Sequence, residues 1–191
     1  MVLQAAGISR GFTRDACDLA ALLEEKELLK GGRARHGADL EARLDALVDP
    51  SVPGVMLQVR ERVLKASEQL QQLAQLSCVE AGRQQLESER RSLCVLVAWA
   101  FPELLAKGDR APQGTRPFCV FKLANGHEAR VDLRDELANG KLLVIAALTG
   151  PKVFWAMRAD RKLLAGFGVD AADPVRHKIF GLPEAAAAAS G

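Results

Sequence analysis

The stretch FCVFKLANGHEARVDL, residues 118–133, decides the fold of this chain. Aromatic and β-branched residues dominate 118–123, and apolar residues alternate with polar ones in 128–133, as is typical of β-strands. Between them, Asn125-Gly126 is a strong signal for a two-residue hairpin turn. The stretch therefore predicts an antiparallel hairpin.

Two further strands are predicted after the hairpin. Residues 142–148 are continuously apolar, and residues 153–157 are rich in apolar and aromatic side chains. Gly150-Pro151 separates them, because glycine and proline favour turns. Four strands this close together predict either a small barrel or an open antiparallel sheet.

The residues before position 107 follow a helical period rather than a strand period. Four segments carry an apolar face or are apolar over much of their length, and together they predict a helical bundle. These segments begin near residues 13, 39, 55 and 83. Helices first and strands afterwards predict an α+β fold, an N-terminal helical bundle followed by a small sheet or barrel.

The expected organisation has three parts. Residues 1–107 form the helical region, and residues 115–160 form the β subdomain. A loop rich in proline and glycine lies between them. Residues 161–191 form a C-terminal segment that ends in a run of alanines, which indicates a low-complexity tail.

The composition is that of an ordinary globular protein. Of 191 residues, 49% are hydrophobic and 26% are charged, which argues against disorder throughout. The formal net charge is only +2, so any basic surface must come from the arrangement of the charges rather than from their total.

The cysteines favour a reducing, cytoplasm-like compartment. Cys17, Cys78, Cys94 and Cys119 form no C-x-x-C pair, and three of them lie in apolar runs, which favours buried free thiols over a zinc site or disulfides. The first residues lack the pattern of a secretory signal, and the longest apolar run is too short to cross a bilayer. We expect an intracellular protein with no membrane partner.

The sequence contains no recognisable catalytic motif. It has no phosphate-binding P-loop, no G-x-G-x-x-G fingerprint and no G-x-S-x-G nucleophile elbow. Its three histidines lie in polar, loop-like contexts, where such side chains are usually solvated. We therefore expect no catalytic residue and no metal site in this chain by itself.

Four blocks of sequence, in order, resemble the region behind the motor domains of HrpB-type DExH helicases. The blocks are DLAALLEEKELL (18–29) with GADLEARLDAL (37–47), LVAWAFP (96–102), FKLANG (121–126) and LLVIAAL (142–148). Each block is common by itself, and their order over residues 15–150 carries the resemblance.

The resemblance implies an ATP-dependent helicase, most often discussed as acting on RNA. In that family a helical ratchet region and an oligonucleotide-binding (OB) type barrel follow two ATPase lobes and a winged helix. This chain would cover the ratchet and the OB-like barrel, an accessory part that holds nucleic acid. ATP and Mg²⁺ would bind the motor lobes, which are missing here, so no cofactor is expected in this chain. The implied partners are single-stranded nucleic acid, with RNA expected, and the motor lobes.

The chain departs from the family in two places. Glu103-Leu104 follows Phe101-Pro102, where the family tends toward an Asp-Arg pair, and the residues after Asp160 match poorly. These departures leave open a gene fragment or degenerate copy. They also leave open a non-catalytic protein-interaction module that docks through apolar helix surface.

A two-residue turn at Asn125-Gly126 fixes the expected faces of the hairpin. It pairs Phe121 with Arg130, and alternation then places both on the outer face. The same alternation places Phe118 and Val120 in the core.

The last strand predicts a second outer face of the same kind. Its side chains alternate between Val153, Trp155 and Met157 on one face and Lys152, Phe154 and Arg158 on the other. Rings between cations suit single-stranded nucleic acid, because bases stack on rings and Lys or Arg neutralises phosphates. We therefore predict nucleic-acid contacts by Phe121, Lys122, Arg130, Lys152, Phe154 and Arg158.

For each ring, packing against the helical half is an equally good interpretation. Second candidates for binding are the basic residues of the helices, Arg60, Arg62, Lys65 and Arg90-Arg91. There the pattern favours an ordinary solvated helix face over a binding surface.

Overall fold

The computed structural model describes residues 10–25, 27–73, 93–108 and 117–169. Within these ranges the helices come first and the strands follow, so the predicted α+β fold is confirmed. None of the helices in the described ranges has the length and apolar character needed to cross a membrane. Cys78, Arg90-Arg91, most of the expected loop before Phe118 and the alanine-rich tail lie outside the described residues.

Helices make up the first part of the chain. They are α1 (Arg10–Glu24), α2 (Gly32–His36), α3 (Leu40–Val48), α4 (Leu57–Leu73) and α5, of which residues 93–100 are described. Asp39 begins α3 as its N-cap, because its carboxylate accepts the backbone N–H of Glu41. At the other end of α3, Arg60 of α4 donates to the carbonyl oxygen of Leu47 at 2.8 Å, which joins the two helices.

Five strands follow and close into a barrel in the order β1-β2-β3-β5-β4. The strands are β1 (Leu105–Gly108), β2 (Phe118–Leu123), β3 (Glu128–Asp132), β4 (Leu142–Thr149) and β5 (Lys152–Arg158). Neighbours are antiparallel except β3 and β5, which pair in parallel. Short 3₁₀ helices at Pro102–Leu104 and Glu136–Asn139 precede β1 and β4, and α6 (Arg161–Gly166) follows β5. The arrangement is that of an OB-like barrel.

Strand β1 is absent from the sequence prediction. Its first three residues lie inside the region expected to be helical, residues 1–107, and it begins before residue 115, where the β subdomain was expected to start. Its residues, LAKG, carry little β propensity. They are held in place by their neighbours, since β1 pairs with both β2 and β4. The barrel therefore begins at Leu105.

Two clusters of buried side chains build the core. One fills the barrel and includes Phe121, Val131, Leu143 and Ile145. The other lies between the helices and the barrel and contains outward-facing residues of β1, β4 and β5, but none of β2 or β3. The described helices thus cover one side of the barrel, and within the described residues they leave the outer face of β2 and β3 open.

The turn between α2 and α3 joins the helical part to the barrel. Ala156 of β5 donates its N–H to the carbonyl oxygen of Ala38 at 3.0 Å. The N–H of Ala38 in turn donates to the Asp135 carboxylate at 2.6 Å. Gly37 has a φ of +66°, and an added Cβ would lie 2.7 Å from that carboxylate. The close approach requires glycine.

Candidate nucleic-acid interface

The hairpin at Asn125-Gly126 has three residues in its loop rather than two. Leu123 and His127 face each other through a 2.8 Å backbone hydrogen bond, and Gly126 has a left-handed φ of +86°. Such a loop is a known alternative for a sequence with glycine in this place. The pairing is therefore shifted by one residue, and Phe121 lies opposite Ala129 rather than Arg130.

This shift inverts the two faces of β2, since a slip of one residue moves every side chain to the other side. Phe121 is only 1% exposed and lies inside the barrel. An added Cβ at Gly108 would lie 3.0 Å from its ring. The predicted outward placement of Phe121, and with it base stacking on this ring, is wrong.

The outer face of the hairpin instead carries Phe118 together with Arg130. Phe118 is half-buried, and Arg130 is exposed. The guanidinium carbon of Arg130 lies 4.9 Å from the centroid of the Phe118 ring, within the range of a cation–π interaction. An aromatic ring and a cation do share this face, but the ring belongs to a residue that the two-residue turn had placed in the core.

Like charges sit next to each other on the same open surface. Lys107 of β1 lies opposite Lys122 of β2, and Arg130 of β3 lies beside Lys152 of β5. Like charges directly opposite one another are unfavourable in a free sheet. Glu128, opposite Lys122, offsets only part of this charge. Counted over the described side chains, this surface has an excess of positive charge that an anion would relieve.

Arg130 is held by its backbone, and no carboxylate in the described part of the chain forms an ion pair with it. Its N–H donates to the carbonyl oxygen of Pro151, in the turn between β4 and β5, at 2.7 Å. The nearby Asp132 instead pairs with Arg134, whose nitrogens lie 2.8 and 3.0 Å from the two carboxylate oxygens. The guanidinium of Arg130 is thus left over the ring.

Strand β5 does not alternate as expected, because its pairing with β4 is irregular between Ile145 and Leu148. Val153 and Ala156 point into the barrel, whereas Trp155 and Met157 belong to the core shared with the helices. The three residues predicted to share one face, Val153, Trp155 and Met157, therefore belong to two different cores.

Phe154 is half-buried against the helix-facing core, with its ring centroid 5.3 Å from that of Trp155. Phe154 therefore packs against the helical half, as the alternative interpretation predicted. It is separate from the open face of β2 and β3.

Arg158 lies at the opposite end of β5 from Lys152, about 20 Å away along the strand. Its guanidinium donates to the carbonyl oxygen of Glu136 at 2.6 Å and lies 3.9 Å from the carboxylate of the same residue. Of the six predicted residues, the structure brings together Lys122, Arg130 and Lys152 and does not bring Phe121, Phe154 or Arg158 to them.

The basic residues of α4 have separate partners. Arg60 contacts the end of α3, and Arg62 forms an ion pair with Glu25 at 3.0 Å. This pairing lowers the pKa of Glu25, mainly through the hydrogen bond from Arg62. Lys65 is exposed. Arg62 and Lys65 fit an ordinary solvated helix face, whereas Arg60 is half-buried against α3.

The cysteines and acidic residues build no metal site in the described ranges. Cys17 and Cys94 are buried thiols, as the sequence predicts, and Cys119 is half-buried. Burial raises the pKa of the Cys94 thiol to about 11, so it stays protonated at neutral pH.

Phe118 and Lys107 are the two site residues that sequence reasoning misses. The sequence of β2 does contain a signal for Phe118. Phe118 and Lys122 are four residues apart and so share one face of the strand, whereas Phe121 and the apolar Leu123 share the other. A lysine faces solvent more readily than the barrel core. An outward Lys122 therefore favours an outward Phe118, whereas the two-residue turn predicted Phe118 in the core. Lys107 could not be placed without β1.

Comparison with known proteins gives one informative likeness. No protein-family model matches the chain, and no curated protein sequence does. Among solved structures, the chain is similar to the crystal structure of the E. coli DExH-box NTPase HrpB, with a TM-score of 0.61 and 22% identity. The match covers 86% of this chain but only 17% of that one. The likeness shows that this chain shares its fold with part of that protein.

Proposed function

We propose that this chain is the nucleic-acid-holding, non-catalytic part of a DExH-type helicase, and that it binds a single strand on the outer face of β2 and β3. Motor lobes outside this sequence would bind ATP and Mg²⁺ and move the strand. RNA is the expected ligand, from the resemblance to HrpB-type helicases.

One observation carries the proposal: the barrel face left open by the helices holds both like-charged pairs and the Phe118–Arg130 contact. The outer face of strands 2 and 3 is where OB folds bind oligonucleotides. Cations along such a face neutralise phosphates, and a ring among them offers a stacking surface for a base.

The charges also explain why the ligand would be a strand rather than a single phosphate. Lys122 and Val120 are two residues apart on β2, so the two like-charged pairs lie in neighbouring rows about 7 Å apart along the strands. Two rows of cations can contact successive phosphates of an extended chain. If all four cations make contacts, the logarithm of affinity should fall with the logarithm of salt concentration with a slope of about −3.

The test is the salt dependence of oligouridylate binding to the 191-residue chain. The double variant Lys122→Gln, Lys152→Gln removes two cations without adding negative charge. We expect the salt slope to become shallower by about 1.4, equivalent to about tenfold weaker binding at 0.15 M salt. Fluorescence anisotropy across a salt series measures both quantities.

Lys65→Gln is the matched control, because Lys65 is also an exposed lysine but lies on α4. Its slope should equal that of the unmodified protein. A slope unchanged in the double variant, or reduced equally by Lys65→Gln, would mean that the strand does not lie on β2 and β3. Affinity independent of salt would refute nucleic-acid binding through phosphates.

The protein-interaction alternative has weaker support. The large exposed apolar side chains of the described helices are Val48, Leu57 and Leu73, which are 54%, 58% and 82% exposed. Val48 ends α3, and Leu57 and Leu73 lie at opposite ends of α4, about 24 Å apart. Single exposed apolar residues are normal on soluble proteins, and a docking surface needs a contiguous patch.

A further inference from the structure

We propose that Arg130 occupies a base-stacking site on Phe118 in the free protein, and that an unpaired base takes its place when a strand binds. The inference rests on the proposed function and narrows its ligand to a strand with at least one base free to leave its stack. It also gives Arg130 two successive positions, over the ring before binding and near the phosphates afterwards.

The first step is the position of the ring. Phe118 begins β2 on the outer face, half-buried, with the backbone of Asp132 directly across from it. The Arg130 guanidinium lies over this ring, 4.9 Å from its centroid. A base that approaches the same side of the ring must therefore meet the guanidinium first.

The second step is that little else holds the guanidinium. Asp132 is paired with Arg134, and Glu128 lies opposite Lys122. Lys152, the neighbour of Arg130 on β5, carries the same charge. Among the described residues Arg130 has no ion pair, so the ring contact is the interaction that must be given up.

The third step compares the two occupants of the ring. A base stacked on an aromatic side chain typically strengthens binding by about five- to 150-fold. A cation over an exposed ring adds a weaker interaction, equivalent to only about a two- to fivefold change in an equilibrium constant. Replacement of the guanidinium by a base is therefore favourable. The displaced guanidinium remains attached beside Lys152, where it can meet a phosphate.

The experiment compares two ligands of equal length and charge, a short oligouridylate and an abasic ribose-phosphate oligomer. The measured quantity is the ratio of their dissociation constants, abasic over uridylate, for the unmodified protein and three variants. We expect a ratio clearly above one for the unmodified protein, in which the gain from stacking is reduced by the loss of the guanidinium contact, and a ratio near one for Phe118→Leu. Phe154→Leu, the same change at a half-buried ring that lies away from this face, should leave the ratio unaltered.

Arg130→Ala tests the exchange itself. With the competing guanidinium gone, the ratio should rise by about two- to fivefold. The salt slope should become shallower by about 0.7, because one cation is lost. A ratio that falls in Arg130→Ala would overturn the exchange, since it would mean that the base stacks on the guanidinium instead.

A ratio that stays unchanged in Phe118→Leu would also overturn this inference. In that case, salt-dependent binding of both oligomers would leave the proposed function standing. Failure of the unmodified protein to bind either oligomer at low salt would instead reject the proposed function. Thermal unfolding of each variant establishes that it is folded under the binding conditions.

Discussion

Arg43 is fully buried and ties three segments of the helical part together. Its guanidinium pairs with Glu27 at 3.0 and 3.2 Å and donates to the carbonyl oxygens of His36 and Asp39. Glu27 also accepts the N–H groups of Leu28 and Leu29, so the connection after α1 depends on the same carboxylate. A buried arginine satisfied in this way fixes the path of the chain between α1 and α3.

Arg43→Ala should destabilise the protein by about 3 kcal/mol, because it leaves a largely buried carboxylate without its partner. That figure lies at the low end for buried pairs, since Glu27 keeps 18% of its side chain exposed. Urea unfolding followed by circular dichroism measures the loss. Arg62→Ala, which breaks the exposed pair with Glu25, is the control and should change little. Equal losses in the two variants would contradict the importance of burial.

The sequence gives no sign of this arginine's role. A charged residue on a short amphipathic helix is usually solvated, and the partner of Arg43 lies outside that helix, before α2. The N-cap at Asp39, by contrast, is predictable, because a capping residue acts on its own helix. Local contacts can be inferred from local sequence, whereas the Arg43 pair depends on how the segments fold back.

At the scale of elements, the sequence predicts the positions of most strands but does not predict correctly which of their side chains face outward. Strands β2 to β5 follow from β-branched and aromatic runs bounded by turn residues. The side chains that face outward depend on the number of residues in the hairpin loop and on the irregularity near Phe154. In both places a shift of one residue changes which side chains face outward, and neither the composition nor the periodicity of the sequence predicts that shift.

Gly126 is the residue that makes the three-residue loop possible. Its φ is +86°, and an added Cβ would meet nothing within 4 Å. Gly126→Ala should therefore cost about 1 kcal/mol through backbone strain alone. Gly166→Ala is the matched control, because Gly166 also has open space around it but lies at the end of α6 without a positive φ.

We expect Gly166→Ala to be neutral or stabilising by up to about 1 kcal/mol. Urea unfolding of both variants measures the difference. If Gly126→Ala proves as stable as the unmodified chain, the loop does not need a left-handed residue. The register of β2 and β3, and with it the outward position of Phe118, would then have to be reconsidered.

At the scale of the whole molecule, the helices and the barrel act as one folded unit. Residues of both contribute to the larger core, so neither part buries its apolar surface without the other. The same packing decides which face of the barrel the described helices leave uncovered. Because β1, β4 and β5 supply the surface against the helices, the outer side of β2 and β3 is the face that we propose for the strand.

Charges also act across the junction between the two parts. Burial raises the pKa of Asp39, and the nearby charge of Asp135 raises it further, whereas the hydrogen bond from Glu41 and the charges of Arg158 and Arg43 lower it. Asp39 belongs to the helical part and Asp135 to the barrel, so docking the two parts brings two carboxylates together. The folded protein thus binds a proton at Asp39 more tightly than the unfolded chain does.

This difference sets the sign of a pH effect. A carboxyl with a raised folded-state pKa disfavours folding when it is ionised, and that cost disappears as pH falls through the folded pKa to below about 3.9. Asp39→Asn keeps the N-cap, because asparagine caps as well as aspartate. The variant should therefore be at least as stable as the unmodified protein at pH 7. Its advantage should shrink as pH falls toward 4.

Asp160→Asn provides a control of opposite sign at another N-cap. The N–H groups of Leu163 and Lys162 lower the pKa of Asp160, so its ionised form favours the folded state. That contribution is present above the unfolded pKa and is lost as pH falls through the folded pKa. Asp160→Asn should thus be less stable at pH 7, with a deficit that shrinks in acid. Urea unfolding at several pH values follows both variants. Parallel pH profiles would show that Asp39 responds only as a cap and that docking of the barrel does not act on it.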